Sequence, residues 1–368
     1  MKFRCDRDDL ADALQTVQRG VSARPGIPAL TGVLMTVDEG RLTLATTDLE
    51  VSTELSIEVD AIEPGVALVP ARLAADIVRK LDAAPVEFTV ADNQASISCA
   101  AYEGQIRCLP AEDFPSRREP AGIAVKVNAQ EFAEAVKQVG KAASKDEARP
   151  ILTGVLVEAN REGLTLVATD SYRLAVRAIT AKGEGEAKVL IPERAITEAG
   201  RAAETMDKGD VEILLEESQA TFRAGPLTLT SRLIEGEFPS YRQLIPEGYE
   251  NHLTVSRIGL LDAVSRVGLL ARENSPVRLE FNALGVRLSS SSPDLGGAVE
   301  VVEAEYGGED TTVAFNPGYL IDGLSVATGD KVKIEVRDGL KPALVRGDTE
   351  GFLYLVMPVR LPEAVRTG

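Results

Sequence analysis

The chain has 368 residues, of which 44% are hydrophobic and 26% are charged, so we expect a globular protein of two or three domains. Its formal net charge of -17 is unlike that of a protein coated uniformly by nucleic acid, but it leaves room for a basic stripe on one face. The three cysteines, Cys5, Cys99 and Cys108, lack the spacing of a disulfide framework or a zinc site, and we predict no metal and no cofactor.

The N-terminal segment MKFRCDRDDL is charged from its second residue, which is unlike a signal peptide. The longest uncharged run, residues 25–37, is too short to span a bilayer. We therefore expect a cytoplasmic protein with no membrane partner.

The rest of the chain contains internal sequence repeats. LTGVL begins at Leu30 and again at Leu152, and Asp48 returns as Asp170, each 122 residues later. A fainter third copy includes GVRLSSSS at residues 285–292. This spacing is too long for a solenoid repeat and indicates tandem domains of common size. The predicted domains are 1–122, 123–249 and 250–368.

Each copy predicts the same series of elements. An opening strand leads into a helix of about four turns, and several strands with glycine turns follow. A second helix begins near a proline, at Pro70, Pro192 and Pro317 in the three copies, and more strands complete the unit. The pattern predicts an α+β fold with helices on one face of antiparallel sheets.

The predicted helices carry a modest excess of basic residues over the acidic background of the chain. Arg72, Lys137, Lys141 and Arg194 are examples. An ordinary solvated face explains this pattern as well as a functional one does. The functional alternative is a surface that faces phosphates without reading bases.

Signals for catalysis are sparse. The single histidine, His252, lies in a predicted linker, and no phosphate-binding loop or hydrolase motif occurs. Asp48 and Asp170 hold equivalent places in two copies, which favours a structural turn at both. The enzymatic alternative uses Asp170 and Arg173, and it predicts that Asp170→Asn abolishes a turnover.

Several segments occur in an order that identifies a family. They are VPARL (69–73), LPAEDFPS (109–116), ATDSYRLAV (168–176), EFPSY (237–241) and LVMPVRL (355–361). On these segments the chain resembles the bacterial DNA polymerase III beta subunit, the processivity sliding clamp. The resemblance implies a non-catalytic protein whose head-to-tail homodimer places six domains in a ring. Helices would line the hole, and double-stranded DNA would pass through without being read.

The resemblance also implies a pocket for short peptides of the replicative polymerase, the clamp loader and repair proteins. Arg173 and Arg360 would hold polar or acidic groups of the peptide, and the first copy lacks the arginine and would not bind. The pocket residues carried over are Leu152, Thr169, Tyr172, Arg173, Leu174, Pro239, Leu244, Val356, Met357, Pro358, Val359 and Arg360.

Two further surfaces follow from the resemblance. The DNA-facing residues would be Arg24, Arg72, Lys145, Arg149 and Arg194, to which we add Lys137 and Lys141 from their helix positions. The ring would close between a strand near 103–109 and one near 297–304 of the other chain, weakened by Gly104. Glu300 and Glu303 would pair there with Arg107. The interface residues are Gln105, Arg107, Leu269, Leu270, Glu300 and Glu303.

A clamp paralogue with altered partners or inhibitor tolerance is the nearest alternative to the main clamp. The two share a fold and a ring. A second clamp gene in the same genome would indicate the paralogue.

Overall fold

The computed structural model describes residues 1–21, 26–116, 118–206, 208–246, 248–271 and 275–360, and one series of elements occurs there three times. The first copy contains β1 (Lys2–Cys5), α1 (Arg7–Val17), β2 (Gly32–Asp38), β3 (Arg41–Thr47), β4 (Val51–Glu58), β5 (Asp60–Glu63), β6 (Gly65–Pro70), α2 (Ala71–Arg79), β7 (Val86–Ala91), β8 (Gln94–Cys99) and β9 (Tyr102–Arg107). The second contains β10 (Ile123–Asn128), α3 (Ala129–Gly140), β11 (Gly154–Ala159), β12 (Gly163–Thr169), β13 (Arg173–Thr180), β14 (Lys182–Gly183), β15 (Ala187–Pro192), α4 (Glu193–Glu204), β16 (Asp210–Leu215), β17 (Gln219–Ala224) and β18 (Leu227–Arg232). The third contains β19 (Asn251–Ser256), α5 (Arg257–Gly268), β20 (Val277–Asn282), β21 (Gly285–Ser292), β22 (Gly296–Val302), β23 (Ala304–Gly307), β24 (Thr311–Phe315), α6 (Pro317–Val326), β25 (Lys331–Val336), β26 (Ala343–Arg346) and β27 (Phe352–Val356).

Polar side chains begin several of the helices. Asp6 accepts a hydrogen bond from the backbone N–H of Asp8 before α1, and Ser256 accepts one from Gly259 before α5. Asn316 accepts hydrogen bonds from the backbone N–H groups of Gly318 and Tyr319 before α6, which begins with a proline. These caps satisfy N–H groups that have no partner within the helix. The first helix of each copy has 11 or 12 residues, shorter than the four turns that the sequence predicts.

The first of two compact units comprises Met1–Gln130, Gly183–Gly185 and Arg201–Leu233. It contains a five-stranded sheet in the order β5-β1-β7-β8-β9 and a nine-stranded sheet in the order β14-β10-β16-β17-β18-β4-β3-β2-β6. Strands β4 and β18 pair antiparallel, with Leu55 opposite Leu227. This pairing carries one sheet from the first copy of the repeat into the second.

The second unit comprises Glu131–Lys182, Glu186–Gly200 and Ile234–Gly368. Its nine-stranded sheet has the order β15-β11-β12-β13-β27-β26-β25-β19-β23, and its four-stranded sheet has the order β22-β21-β20-β24. Strands β13 and β27 pair antiparallel, with Arg177 opposite Phe352. The same kind of pairing therefore joins the second and third copies.

Apolar side chains from helices and sheets form the cores. In the first unit Leu10 and Leu14 of α1 are buried with Phe3 and Phe88, whose rings stack at 5.3 Å between centroids. In the second unit a Cβ on Gly200 of α4 would lie 2.8 Å from Cγ1 of Val136 on α3, so glycine permits this close helix approach. The α+β fold of antiparallel sheets and helices confirms the predicted class.

The prediction that His252 lies in a linker was wrong. His252 belongs to strand β19, where it stands between Glu335 on one neighbouring strand and Gly307 on the other. The glycine and proline residues just before it suggested a linker, but the strand begins at Asn251.

Candidate functional site

The turn between β12 and β13 is closed by the side chain of Asp170. Its Oδ1 accepts hydrogen bonds from the backbone N–H groups of Tyr172 (2.9 Å) and Arg173 (3.0 Å). Ser171 has a φ of 80° and donates its N–H to Oγ1 of Thr169. These local bonds hold a non-glycine residue in the left-handed region.

The first copy of the repeat builds the same turn. Oδ1 of Asp48 accepts hydrogen bonds from the N–H groups of Glu50 and Val51. Leu49 has a φ of 77° and donates its N–H to Oγ1 of Thr47. The two equivalent aspartates thus close turns, as the sequence predicts, and do not stand free for acid–base chemistry.

Arg173 lies at the centre of a buried polar network in the second unit. Its side chain is 9% exposed, and its guanidinium donates to Asp170 Oδ2 at 3.0 Å and to Asp322 of α6. The Tyr319 ring lies 4.7 Å away. Burial alone would lower the pKa of this guanidinium, but Tyr354, Asp322 and Asp170 raise it overall. Arg173 therefore joins β13 to α6 as a permanent cation.

This network changes the role expected for Arg173. The sequence predicts that it holds an acidic group of a ligand. In the structure two carboxylates of the chain already pair with it, so it positions the strand end more than it offers a free charge. Arg173 nevertheless lines the cavity described next.

A cavity of about 400 Å³ opens beside the paired ends of β13 and β27. Leu174 and Leu355 stand opposite each other in the β13–β27 register and form part of its wall. The backbone N–H of Met357 donates to the carbonyl of Tyr172 at 2.8 Å, which fixes the segment after β27 against the turn. The predicted pocket residues that line the cavity are Thr169, Arg173, Leu174, Leu244 and Met357.

The other predicted pocket residues lie outside the lining. Leu152 and Val356 are buried, and Tyr172 is half exposed with its ring stacked 6.2 Å from that of Tyr319. The N–H of Val359 donates to Ala314. Pro239 and Arg360 are exposed, and Pro358 and Val359 are half-buried.

Sequence reasoning missed part of the wall. Two polar residues, Ser171 and Gln243, line it, and so do five residues from later segments: Pro246, Arg337, Lys341, Pro342 and Leu355. Arg337, Lys341 and Pro342 belong to the loop between β25 and β26. Its place beside β13 depends on strand order, so no local motif marks it.

The basic residues predicted to face DNA have different surroundings. Arg149 forms an ion pair with Asp146 at 2.8 Å, and its hydrogen bond lowers the pKa of that carboxyl. Lys141 donates to Ser325 Oγ at 2.9 Å. Arg72, Lys137, Lys145 and Arg194 are exposed. Arg24 lies outside the described residues.

The residues predicted for the dimer interface lie on or beside two edge strands. Gln105 and Arg107 are exposed on β9, at the edge of the five-stranded sheet. Glu300 lies on β22, where Arg266 of α5 donates to both its oxygens at 2.6 and 3.1 Å. Leu269, just after α5, is 79% exposed. Leu270 is half-buried and Glu303 is exposed.

The absence of a side chain at Gly104 in β9 leaves room for the Tyr102 ring. A Cβ at this position would meet the end of that ring, which is 39% exposed and would have to move. Strand β9 nevertheless pairs with β8 along its whole length.

The described ranges contain neither a candidate metal-binding cluster nor a helix suited to span a membrane. No group of His, Cys, Asp and Glu residues there could hold a metal ion. None of the described helices is long and apolar enough to cross a membrane.

Known proteins of one family match this chain over nearly its whole length. Models of the DNA polymerase III beta subunit match residues 1–118 with its N-terminal domain, 126–240 with its central domain and 242–360 with its C-terminal domain. The beta sliding clamp of Streptomyces coelicolor is 36% identical over 98% of this chain and 100% of the relative. The beta sliding clamp homolog GriR of Streptomyces muensis is 34% identical over 98% of this chain and 99% of its own length. A solved sliding clamp from Pseudomonas aeruginosa bound to griselimycin has a TM-score of 0.93 at 30% identity, over 98% of this chain and 100% of that one.

Proposed function

Because this chain belongs to the DNA polymerase III beta subunit family, the beta sliding clamps, we propose that two copies close head to tail into a ring around duplex DNA in the cytoplasm. The chain is a DNA sliding clamp, a non-catalytic processivity factor of a DNA polymerase. The clamp loader opens the proposed ring, and phosphate contacts inside it carry no sequence information. The enzymatic alternative is set aside, since the family is non-catalytic and Asp170 closes a turn.

The proposed ring is supported by a strand pairing between neighbouring copies of the repeat, here called the joint, which occurs twice within the chain. Strand β4 of the first copy pairs with β18 of the second, and β13 of the second pairs with β27 of the third. The two pairings also have the same register. Leu55 stands opposite Leu227 in the first pairing. Their counterparts in the second, Arg177 (122 residues after Leu55) and Phe352 (125 residues after Leu227), also stand opposite each other. Each joint thus uses the same two strands of the repeat.

Each of the two strands that form the joint has one further counterpart in the chain, and that counterpart does not take part in a joint within the described residues. Strand β22 is the third-copy counterpart of β4 and β13, and β9 is the first-copy counterpart of β18 and β27. Both are edge strands in the described sheets. Edge strands present unpaired N–H and C=O groups that can add another strand. Pairing β22 of one chain with β9 of the next repeats the internal joint and closes a ring of two chains.

The repeated register also revises one predicted contact. Glu300 is the counterpart of Leu55, because Leu288 pairs with Glu300 as Leu44 pairs with Leu55. Tyr102 is the counterpart of Leu227, because Cys99 pairs with Tyr102 as Ala224 pairs with Leu227. The repeated register therefore sets Glu300 opposite Tyr102 of the partner chain and several residues away from Arg107. Glu300 is already held by Arg266 of its own chain, and this ion pair lowers its pKa. We therefore propose that backbone pairing and apolar contacts, more than an Arg107–Glu300 pair, hold the joint.

Leu269 is an apolar residue that the repeated joint would place at the interface. Its counterpart in the central domain, Lys141, reaches Ser325 on α6 of the next domain. By the same geometry Leu269 would meet α2 of the partner chain. That helix carries Leu73, which is 49% exposed in the single chain. Burying two such leucines in each joint favours association.

We propose that the cavity beside β13 and β27 binds short peptides of the polymerase, the clamp loader and repair proteins. Apolar side chains such as Leu174, Leu355 and the adaptable Met357 fit leucine or phenylalanine of an incoming peptide. The equivalent turn of the first copy has Val51 where the central domain has Arg173, so one cavity per chain is proposed.

The paralogue alternative concerns partners and not fold. The relative GriR is itself named a clamp homolog, so similarity to it does not favour a different activity. A second clamp gene in the same genome would favour the paralogue, and its absence would favour the main clamp.

Charge reversal on the helical side tests the DNA contact. Arg72 and Lys145 are exposed and have no ion-pair partner among the described residues. We expect Arg72→Glu with Lys145→Glu to weaken binding of the bare protein to a linear duplex at low salt by about tenfold or more, because fewer counterions are released. Fluorescence anisotropy over a salt series measures this.

A matched control carries the same change of charge on strands. Arg223→Glu with Lys331→Glu alters residues of β17 and β25, which we place away from DNA. An equal loss of affinity in both double variants would contradict the assignment of Arg72 and Lys145 to the DNA-facing surface.

A further inference from the structure

The cavity beside β13 and β27 has an unusual balance of charge for this chain. The whole protein has 57 acidic and 40 basic side chains, yet the described residues lining the cavity include three cations and no carboxylate. The three are Arg173, Arg337 and Lys341, all within one compact unit. A positive cavity in an acidic protein is a feature that a ligand can read.

Only two of these cations remain available to a ligand. Arg173 is paired with Asp170 and Asp322 and is nine-tenths buried. Arg337 and Lys341 are exposed, and among the described residues neither has a carboxylate within ion-pair distance. The ligand-facing charge therefore comes from the β25–β26 loop and not from β13.

The loop that presents these two residues is ordered by its own hydrogen bonds. Oδ1 of Asp338 accepts the N–H groups of Leu340 at 2.7 Å and Lys341 at 2.9 Å. The carbonyl of Arg337 accepts a hydrogen bond from the Asn251 side chain on β19. A loop held at both ends presents its side chains with less entropy to lose on binding. Leu340 of the same loop is 69% exposed.

We propose that Arg337 and Lys341 determine the specificity of the cavity by selecting peptides that carry an aspartate or glutamate next to their apolar anchor residues. This inference rests on the proposed function of the cavity as a peptide site. The apolar wall takes the anchors, and the two cations take the carboxylate. Because the pair is solvent-exposed, the selection weakens as salt rises.

The test compares acidic and neutral peptides by fluorescence anisotropy at low and high salt. The neutral probe is labelled Gln-Ala-Asn-Leu-Phe-Asn, and the two acidic probes replace either asparagine with aspartate. We expect at least one acidic probe to bind the native protein about tenfold more tightly at low salt, with the difference shrinking at high salt. In Arg337→Gln with Lys341→Gln, the acidic probe should lose about tenfold more affinity than the neutral probe does.

A control variant has the same change of net charge elsewhere on the sheet. Lys333→Gln with Arg346→Gln removes two cations that pair with Glu335, and it should keep the preference for the acidic probe. A preference that survives in the Arg337 and Lys341 variant overturns the inference, as does equal binding of all probes by the native protein.

The remaining outcomes separate this inference from the function on which it rests. Binding of the neutral probe without an acidic preference leaves the peptide site standing and removes the selection. No binding of any probe removes both. Binding of a labelled oligothymidylate that depends on Arg337 and Lys341, without an acidic-peptide preference, assigns the cations to nucleic acid and overturns the inference.

Discussion

Replacing Arg173 with alanine is expected to lower the free energy of unfolding by about 3 kcal/mol, because it leaves a buried carboxylate without its cation. Asp170 is 11% exposed at its side chain and loses the arginine with which it pairs, whereas Asp322 is 33% exposed and can be hydrated in part. This partial hydration sets the expected loss at the lower end of the range for broken buried pairs. Urea unfolding of native and variant proteins measures it.

The role that the family resemblance implies for Arg173 predicts a different outcome for this variant, namely weaker peptide binding with little change in thermal stability. An exposed ion pair in the first unit supplies the control. Arg223 and Glu212 are 45% and 28% exposed, and Arg223→Ala should change the free energy of unfolding by less than about 1 kcal/mol. If Arg173→Ala and Arg223→Ala unfold alike while only the first loses peptide affinity, Arg173 is a ligand contact and not a structural link.

Leu269→Asp is expected to convert the proposed dimer into a monomer over the micromolar range. Leu269 is 79% exposed in the single chain and would be buried in the proposed joint. The substitution therefore removes an apolar contact and places a carboxylate in each of the two proposed joints. At about 3 kcal/mol per joint, the dimer dissociation constant should rise about 10⁴-fold. Sedimentation across a range of concentrations measures the change from twice the chain mass of 39.2 kDa to that mass itself.

A second exposed leucine separates this effect from a general effect of surface charge. Leu284, at the turn between β20 and β21, is 84% exposed against 79% for Leu269. Leu284→Asp should leave the dimer intact, since the repeated joint does not involve that turn. A dimer that resists Leu269→Asp, or that both substitutions dissociate equally, would contradict the joint between β22 and β9.

Local features were predictable from the sequence because their bonds join near neighbours. The turns at Asp48 and Asp170 depend on hydrogen bonds to N–H groups two and three residues later, and the repeat of that motif identifies a structural role. The class of fold follows for a similar reason. Strand alternation and helix-starting residues are local patterns that recur in each copy.

Features that join distant segments were not predictable in this way. Asp322 lies 149 residues after Arg173, and no pattern in the sequence connects them. Arg337 and Lys341 reach the cavity because the β25–β26 loop and β13 belong to one sheet, which only strand order reveals. The resemblance to a family predicted the cavity residues near β13 and Met357, whereas the residues of the β25–β26 loop could be identified only from the three-dimensional structure.

Retention on DNA of different topology tests the sliding clamp most directly. The protein would be loaded by its clamp loader onto a nicked circular plasmid, and the bound fraction followed before and after a restriction enzyme cuts the circle. A ring around the duplex should stay on the circle at about 300 mM salt, where phosphate contacts alone are weak. It should leave within minutes of cutting and stay when the new ends are blocked. Equal loss from circular and linear DNA, or retention on open linear DNA at that salt, would contradict a ring that slides.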